Sequence, residues 1–244
     1  MKTSQEISVM REGGKRLAEV MTKLVSLVKP GVATKELDTA SQTLILTAGG
    51  ELAFKGYDGF PGAICTSVNE EVVHSVPSSR VLKEGDIVTL DIGLVWKGWF
   101  LDMARTVPVG EIDKETMRLC EVTQQSLEVG IREARAGARV GDIGSAVQQF
   151  VEKHGYNVVR ELCGHGIGKD LHEDPKVLNY GKKDTGEILK EGMVICIEPM
   201  VTIGDWKLKR SKDGHGFETK DGSLSCHFED AIAITSRGPQ VLTR

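Results

Sequence analysis

The sequence predicts an α+β fold, an α/β two-layer arrangement in which two related halves pack about a pseudo-twofold axis. Helical periodicity precedes short β-rich runs in each half of the chain, which predicts helices followed by a sheet. The segment LKEGDIVTLDIG from Leu82 returns as LKEGMVICIEPM from Leu189, which indicates a duplication. We therefore expect one domain over residues 1–244, with repeats at about 1–110 and 111–244.

Four helices are predicted from apolar spacing and from residues that favour helix ends. Thr3 and Glu6 match a capping box at the start of the first helix, which Pro30 and Gly31 would end. Asp113 is a candidate N-cap for the third helix, because its carboxylate can accept hydrogen bonds from free backbone N–H groups. The last three helices are expected over residues 34–48, 114–135 and 141–154.

Short runs rich in β-branched residues predict the strands. They are AICTSV, DIVTLDIGLVW and ARTVPV in the first half, and VVREL, MVICIEPMVTI, FETKDG and HFEDAIAIT in the second. A hairpin around Lys97-Gly98 would place Asp91 and Asp102 on adjacent antiparallel strands.

The composition argues against several classes of function. The chain of 244 residues is 40% hydrophobic and has a net charge of −4, which argues against nucleic acid as a specific partner. No apolar stretch approaches the ~20 residues of a membrane helix, and the N-terminus has no apolar signal core. The five scattered cysteines, without a CxxC pair, are typical of reduced thiols, so we expect a cytoplasmic protein.

Four acidic residues stand in apolar, strand-like contexts. Asp91 lies inside IVTLDIGLVW and Glu198 inside MVICIEPMVTI. Asp102 follows WKGWFL, and Glu229 follows CHF. A buried, unpaired carboxylate is unfavourable, and Arg105 near Asp102 is the only obvious basic partner. A shared cation is therefore favoured over isolated ion pairs.

Histidines complete the candidate site. His165 lies in CGHGIG, where glycines on both sides leave space for a ligand or for another backbone. His74 and His172 lie at equivalent positions in the two halves, so a twofold arrangement would bring both to one shared site. A phosphate loop is disfavoured, because CGHGIG has neither the P-loop ending nor GxGxxG spacing.

Two aspartates, two glutamates and one histidine form an oxygen-rich set. Such a set suits two divalent ions that share bridging carboxylates, and it matches a structural zinc site poorly. Mn(II), Fe(II), Co(II) and Zn(II) all remain candidates. The ions would activate a water and polarise a carbonyl, and an imidazole nearby could stabilise the tetrahedral intermediate.

These segments resemble the bacterial-type, type I methionine aminopeptidases over nearly the whole chain. The matching motifs are GYDGFPGAICTSVNEEVVHSVP, LKEGDIVTLDIG, DMARTV, CGHGIGKDLHEDP, EGMVICIEPM and TKDGSLSCHFEDAIAIT. The resemblance implies the pita-bread fold, in which a central antiparallel sheet is flanked by helices. It also implies removal of the N-terminal methionine from new polypeptides when the next residue is small.

The resemblance also implies a set of metal ligands. Asp91, Asp102 and Glu229 would hold one metal ion, with Asp102 and Glu229 bridging to a second. His165 and Glu198 would complete the second ion's ligands, and Glu198 would also shuttle the proton of the bridging water.

The remaining implied roles concern the substrate. His74 would contact the substrate near the scissile amide, and His172 would bind the developing oxyanion. The methionine pocket would be formed by Tyr57, Phe60, Cys65, Phe54, Leu171 and His215. The implied partners are the N-terminal segments of nascent polypeptides; ribosome association stays open, and we expect a monomer without a membrane partner.

Several residues around this site differ from the family pattern. Phe60 stands where Tyr is common, Phe54 where small residues are common, Leu171 for Phe, His215 for Trp, and His227 and Asp230 for Gln and His. Two alternatives therefore stay open. One is an aminopeptidase of the same fold with altered preference for the first residue or with Xaa-Pro specificity. The other is a pita-bread protein that binds without catalysis.

Overall fold

The computed structural model describes all residues 1–244, and four helices form its outer layer. They are α1 (Ser4–Val25), α2 (Thr34–Thr47), α3 (Lys114–Glu133) and α4 (Val140–Lys153). The predicted caps are confirmed: Thr3 and Glu6 form a capping box on α1, and Asp113 accepts hydrogen bonds from the backbone at the start of α3. No helix is both long and apolar enough to cross a membrane.

The strands form one large and two small sheets. They are β1 (Glu51–Leu52), β2 (Ile64–Val68), β3 (Glu71–Val73), β4 (Ile87–Trp96), β5 (Trp99–Pro108), β6 (Asn157–Val158), β7 (Cys163–Gly166), β8 (Glu173–Leu178), β9 (Val194–Ile197), β10 (Met200–Thr202), β11 (Leu208–Arg210), β12 (Phe217–Thr219), β13 (Ser225–His227), β14 (Glu229–Thr235) and β15 (Gly238–Val241). The nine-stranded sheet has the order β1-β4-β5-β14-β9-β7-β8, with β2 beside β4 and β15 beside β14. Every pairing within it is antiparallel.

The hairpin of β4 and β5 is the one predicted from the sequence. Its turn lies at Lys97 and Gly98, both with positive φ. Alternate side chains of a strand point to opposite faces. Leu90 and Ile92 accordingly belong to the apolar core that packs with α1 and α2. Asp91 therefore points to the other face, away from those helices.

Two predicted strands differ in the structure. Only residues 157–158 of the segment around VVREL pair as a strand, because the chain bends at Arg160 and Glu161 before β7 begins. MVICIEPMVTI is divided between β9 and β10, since Pro199 lacks the N–H that a continuous ladder needs. Glu198 therefore lies at the end of β9 and not inside a strand.

Equivalent positions in the two halves show the same local structure. Glu36 accepts a hydrogen bond from the Ala33 N–H at the start of α2, and Asp142 accepts one from the Arg139 N–H at the start of α4. The structure has two large apolar cores, one that includes residues of α1 and α2 and one that includes residues of α3 and α4. Both helix pairs thus pack against the large sheet.

Candidate metal centre

Three acidic side chains meet at the middle of the large sheet. Ala104 on β5 pairs with Asp91 on one side and with Glu229 on the other. Asp102 lies two residues from Ala104 and so points to the same face. One carboxylate oxygen from each of Asp91, Asp102 and Glu229 lies within 4.8 Å of the other two. The register of three neighbouring strands therefore builds the cluster.

His165 and Glu198 lie beside this cluster. His165 sits where the pairing of β7 with β8 shifts register, an irregularity that redirects a side chain. Its Nε2 is 3.7 Å from Oε1 of Glu198. A Cβ on Gly164 would lie 2.3 Å from the Cys196 carbonyl oxygen, so the glycine is required for close packing of two backbones.

The carboxylates have the properties of a cation site. Asp91, Asp102 and Glu229 are at most 6% exposed, and each has a buried oxygen without a hydrogen-bond partner. No lysine or arginine pairs with them or with Glu198. Burial, opposed by hydrogen bonds to Asp102 and Cys65, raises the pKa of Asp91 to about 7. These orphaned oxygens are what a bound divalent ion would satisfy.

Burial also shifts the pKa values of the other ionisable groups of the cluster, and in each case it favours the neutral form. Burial and then neighbouring carboxylates raise the pKa values of Asp102, Glu198 and Glu229 well above their ordinary range. Burial lowers the pKa of His165 to about 4, which keeps the imidazole neutral and able to bind a metal. The donor set of oxygens and one imidazole nitrogen thus fits divalent first-row ions.

Arg105 has a different partner from the one suggested by the sequence. Its guanidinium donates to Oδ1 of Asp230 at 2.6 Å and does not pair with Asp102. Ala104 and Glu229 are a cross-strand pair; Arg105 follows Ala104, and Asp230 follows Glu229. Both side chains therefore project from the face of the sheet opposite to the carboxylate cluster. Asp102 is therefore left without a basic counter-ion, as expected of a carboxylate that binds a cation.

A cleft of about 780 Å³ opens above the cluster. All thirteen residues singled out in the sequence line it: Phe54, Tyr57, Phe60, Cys65, His74, Asp91, Asp102, His165, Leu171, His172, Glu198, His215 and Glu229. The cleft therefore brings the expected metal ligands, histidines and pocket residues together. Their individual roles stay predictions.

One end of the cleft is apolar. Phe54, Phe60, Cys65 and Leu171 are each at most 8% exposed. The ring of His215 packs edge-on against Phe60, with ring centroids 5.6 Å apart. Gly93 leaves room for Phe54, because a Cβ there would lie 2.6 Å from the phenyl Cε1. Buried apolar side chains therefore form part of the cleft wall.

Two further histidines, His74 and His172, line the cleft. His74 has φ of 61°, a left-handed conformation that is unusual for a non-glycine residue and often marks a functional position. Nδ1 of His172 lies 2.9 Å from the Tyr57 hydroxyl oxygen. The His172 and His165 rings are 4.4 Å apart at their centroids. Burial lowers the pKa of His172, which favours the neutral ring.

The structure adds residues that were not selected as site residues. His227 is 1% exposed, its Nε2 lies 3.7 Å from Oε2 of Glu198, and neither ring nitrogen has a hydrogen-bond partner. Cys196 lies with His165 and Glu229 in a second group of nearby donors. Leu162 and Met200 also line the cleft. His227 had a signal in its departure from the family pattern, whereas the other three read as ordinary apolar residues.

The fold and the buried carboxylate cluster are those of a metal-dependent hydrolase. A model of metallopeptidase family M24 matches residues 8–236, and the chain belongs to this family. It is 47% identical to methionine aminopeptidase 1 of Bacillus subtilis (strain 168), over 100% of this chain and 98% of that protein. The crystal structure of methionine aminopeptidase from Rickettsia prowazekii superposes with a TM-score of 0.98 at 40% identity, covering 100% of this chain and 99% of that one. The predicted resemblance and pita-bread fold are confirmed.

A more distant likeness concerns the fold alone. The prolidase from Pyrococcus furiosus superposes with a TM-score of 0.82 at 22% identity. This chain covers only 65% of that longer one. The Xaa-Pro alternative therefore shares the architecture of this chain but has a much weaker sequence relationship to it.

Proposed function

We propose that this chain removes the N-terminal methionine from polypeptides whose second residue is small. The observation that carries the proposal is the buried Asp91, Asp102 and Glu229 cluster, with unpartnered oxygens, at the base of a cleft with an apolar end. Full-length similarity to proteins named methionine aminopeptidase supports the same activity.

The metal ligands are proposed residue by residue. Asp91, Asp102 and Glu229 would hold one ion, Asp102 and Glu229 would bridge, and His165 and Glu198 would hold the second. The ions, from among Mn(II), Fe(II), Co(II) and Zn(II), supply an activated water and polarise the peptide carbonyl. Support comes from the proximity of these donors and from the neutral state of His165.

Three side chains would handle protons and hydrogen bonds. Glu198 would accept the proton of the attacking water and pass it to the leaving amine, a role for which its carboxylate lies close to the other proposed ligands. His172 would donate a hydrogen bond to the oxygen that gains negative charge. His74 would contact the substrate beside the scissile amide. All three residues line the cleft.

The apolar end of the cleft would hold the methionine side chain. The residues proposed to line it are Tyr57, Phe60, Cys65, Phe54, Leu171 and His215. Burial raises the pKa of Cys65, so this thiol acts there as a small apolar surface. A polarisable thioether packs well against such aromatic and sulfur groups.

We propose a single catalytic domain over 1–244 made of two repeats, for which the matched caps of α2 and α4 provide support. We also propose nascent polypeptide N-termini as substrates, a cytoplasmic location and a monomeric state.

A peptide panel tests the function. Metal-depleted protein would be incubated with Met-Ala-Ser, Leu-Ala-Ser, Ala-Ala-Ser and a Met-Pro peptide, with each divalent ion added back. Rapid cleavage of Met-Ala-Ser that depends on an added ion is expected. Cleavage confined to Xaa-Pro bonds would support the alternative activity, and no cleavage with any ion would favour a binding role.

A further inference from the structure

A buried ionic cluster lies directly behind the metal centre. Asp230 follows Glu229 on β14 and is 0% exposed. Its Oδ1 accepts hydrogen bonds from Arg105 at 2.6 Å and from the Thr243 hydroxyl at 2.8 Å. Its Oδ2 accepts from Nε of Arg244 at 2.9 Å and from Nη2 of Arg244 at 2.6 Å. Every oxygen of this buried carboxylate is therefore satisfied by side chains.

The same cluster holds the backbone that carries the metal ligands. The Nη1 of Arg105 donates to the main-chain oxygens of both Glu229 and Ala104. Ala104 is the residue that pairs with Asp91 and with Glu229. Arg105 thus ties β5, which carries Asp102, to β14, which carries Glu229, and Asp230 fixes the orientation of Arg105.

Arg244 closes the cluster from the solvent side. Its side chain is 43% exposed, and it also donates to Glu128 on α3. Without Arg244, Oδ2 of Asp230 would lose both of its hydrogen-bond donors. A buried carboxylate that loses a partner tends to move or to rearrange its remaining contacts.

We propose that Asp230, Arg105 and Arg244 form a positioning cluster that fixes the Glu229 backbone and thereby sets the affinity of the metal site. None of the three is proposed as a ligand or as a catalytic residue. The inference rests on the proposed role of Glu229 as a metal ligand. Removal of a group that orients a metal ligand without itself binding the metal commonly lowers metal affinity 10- to 100-fold.

The first test is the Arg244→Met variant, which keeps the length of the side chain and removes its charge. Because Arg244 is half exposed, the variant is expected to fold. Mn(II) affinity of metal-stripped protein would be measured by calorimetry without peptide. We expect Kd for the tighter ion to rise about 10-fold or more. The visible spectrum of the Co(II) form would report a change in ligand geometry.

The matched control is Arg80→Met. Arg80 also pairs with a partly buried carboxylate, Glu71, at 2.8 Å, but neither residue lies on a strand that carries a proposed ligand. We expect its Mn(II) affinity and Co(II) spectrum to match the wild type. Equal Mn(II) affinity in Arg244→Met and wild type, even with a lowered melting temperature, would reduce the cluster to a structural role and overturn the proposal.

A double-variant cycle isolates the ion pair. Asp230→Asn, Arg244→Met and the combination would be compared in Mn(II) affinity. If Arg244 acts through Asp230, the combination should weaken binding by less than the product of the two single effects. Multiplicative effects would contradict the coupling. Wild type that binds no divalent ion would instead reject the metal site itself, so the two failures are distinguishable.

Discussion

The hydroxyl oxygen of Tyr57 lies 2.9 Å from Nδ1 of His172. A neutral imidazole carries one proton, and the hydrogen bond made by one nitrogen determines the state of the other. When the tyrosine donates to Nδ1, the proton of His172 resides on Nε2. This is the only ring nitrogen that remains free to donate to a substrate oxygen.

Tyr57→Phe is therefore expected to affect turnover more than binding. The phenyl ring retains the apolar contact, whereas the hydrogen bond that orients His172 is lost. A single hydrogen bond contributes about 0.5–1.5 kcal/mol, so we expect a kcat about 2- to 10-fold lower on Met-Ala-Ser, with KM nearly unchanged. Steady-state kinetics at saturating metal checks this.

Nitrogen-15 spectroscopy of the histidine rings gives a second measurement at about pH 8. The Zn(II) form of the wild type should show His172 protonated on Nε2. A Tyr57→Phe variant with normal kcat and raised KM would assign the tyrosine to binding only. Protonation of His172 on Nδ1 in the wild type would contradict the proposed direction of the hydrogen bond.

Glu198→Gln separates proton transfer from folding. The amide has nearly the same shape as the carboxylate but accepts no proton at neutral pH. General acid–base groups contribute about 10²- to 10⁴-fold, so kcat should fall by at least 10²-fold. Circular dichroism should be unchanged, and calorimetry would report how much metal is retained. Turnover within a few-fold of wild type would remove Glu198 from the proton pathway.

Much of this site was predictable because local patterns determine it. The alternation of β4 places Asp91 away from the core residues Leu90 and Ile92, and the Lys97-Gly98 turn fixes Asp102 nearby. These are short-range relationships within one hairpin. The capping residues Thr3 and Asp113 likewise act on backbone groups within three residues.

Long-range contacts were harder to predict from sequence. Arg105 is close to Asp102 in sequence, yet its partner is Asp230 on a strand far along the chain. The position of His227 beside Glu198 depends on the pairing of β13 with β10, in which His227 lies opposite Met200, two residues after Glu198. Periodicity assigns faces to strands but does not specify which faces of distant strands meet.

Phe54→Ala tests the wall of the methionine pocket. Phe54 is 7% exposed and lines the cleft, so its removal leaves space beside the substrate side chain. Differences of about one methylene group in such a pocket correspond to about 1–3 kcal/mol of discrimination. We expect the ratio of kcat/KM for Met-Ala-Ser over Leu-Ala-Ser to fall about 10-fold. Leu46→Ala, at an exposed position, is the control; an unchanged ratio in Phe54→Ala would exclude Phe54 from the pocket.

Removal of metal should make stability depend on pH in a specific direction. In the metal-free protein burial raises the pKa of Asp91 to about 7, and burial and neighbouring carboxylates raise those of Asp102, Glu198 and Glu229 well above their ordinary range. The unfolded chain releases these protons near pH 4. The native state therefore binds more protons, and its free energy of unfolding must fall as pH rises.

The window from pH 6.5 to 8.5 isolates this effect. Buried histidines such as His165 and His227 have lowered pKa values. Their contribution to the free energy of unfolding therefore rises with pH only up to about 6.5, the pKa of histidine in the unfolded chain. Above pH 6.5, the free energy of unfolding falls by about 1.4 kcal/mol per pH unit for each proton that the native carboxylates still hold. Urea unfolding of chelated protein should show this decline, whereas Mn(II)-loaded protein should not, because the bound cation stabilises the ionised carboxylates. A flat profile for the chelated protein would mean that these four carboxylates are already ionised without a metal.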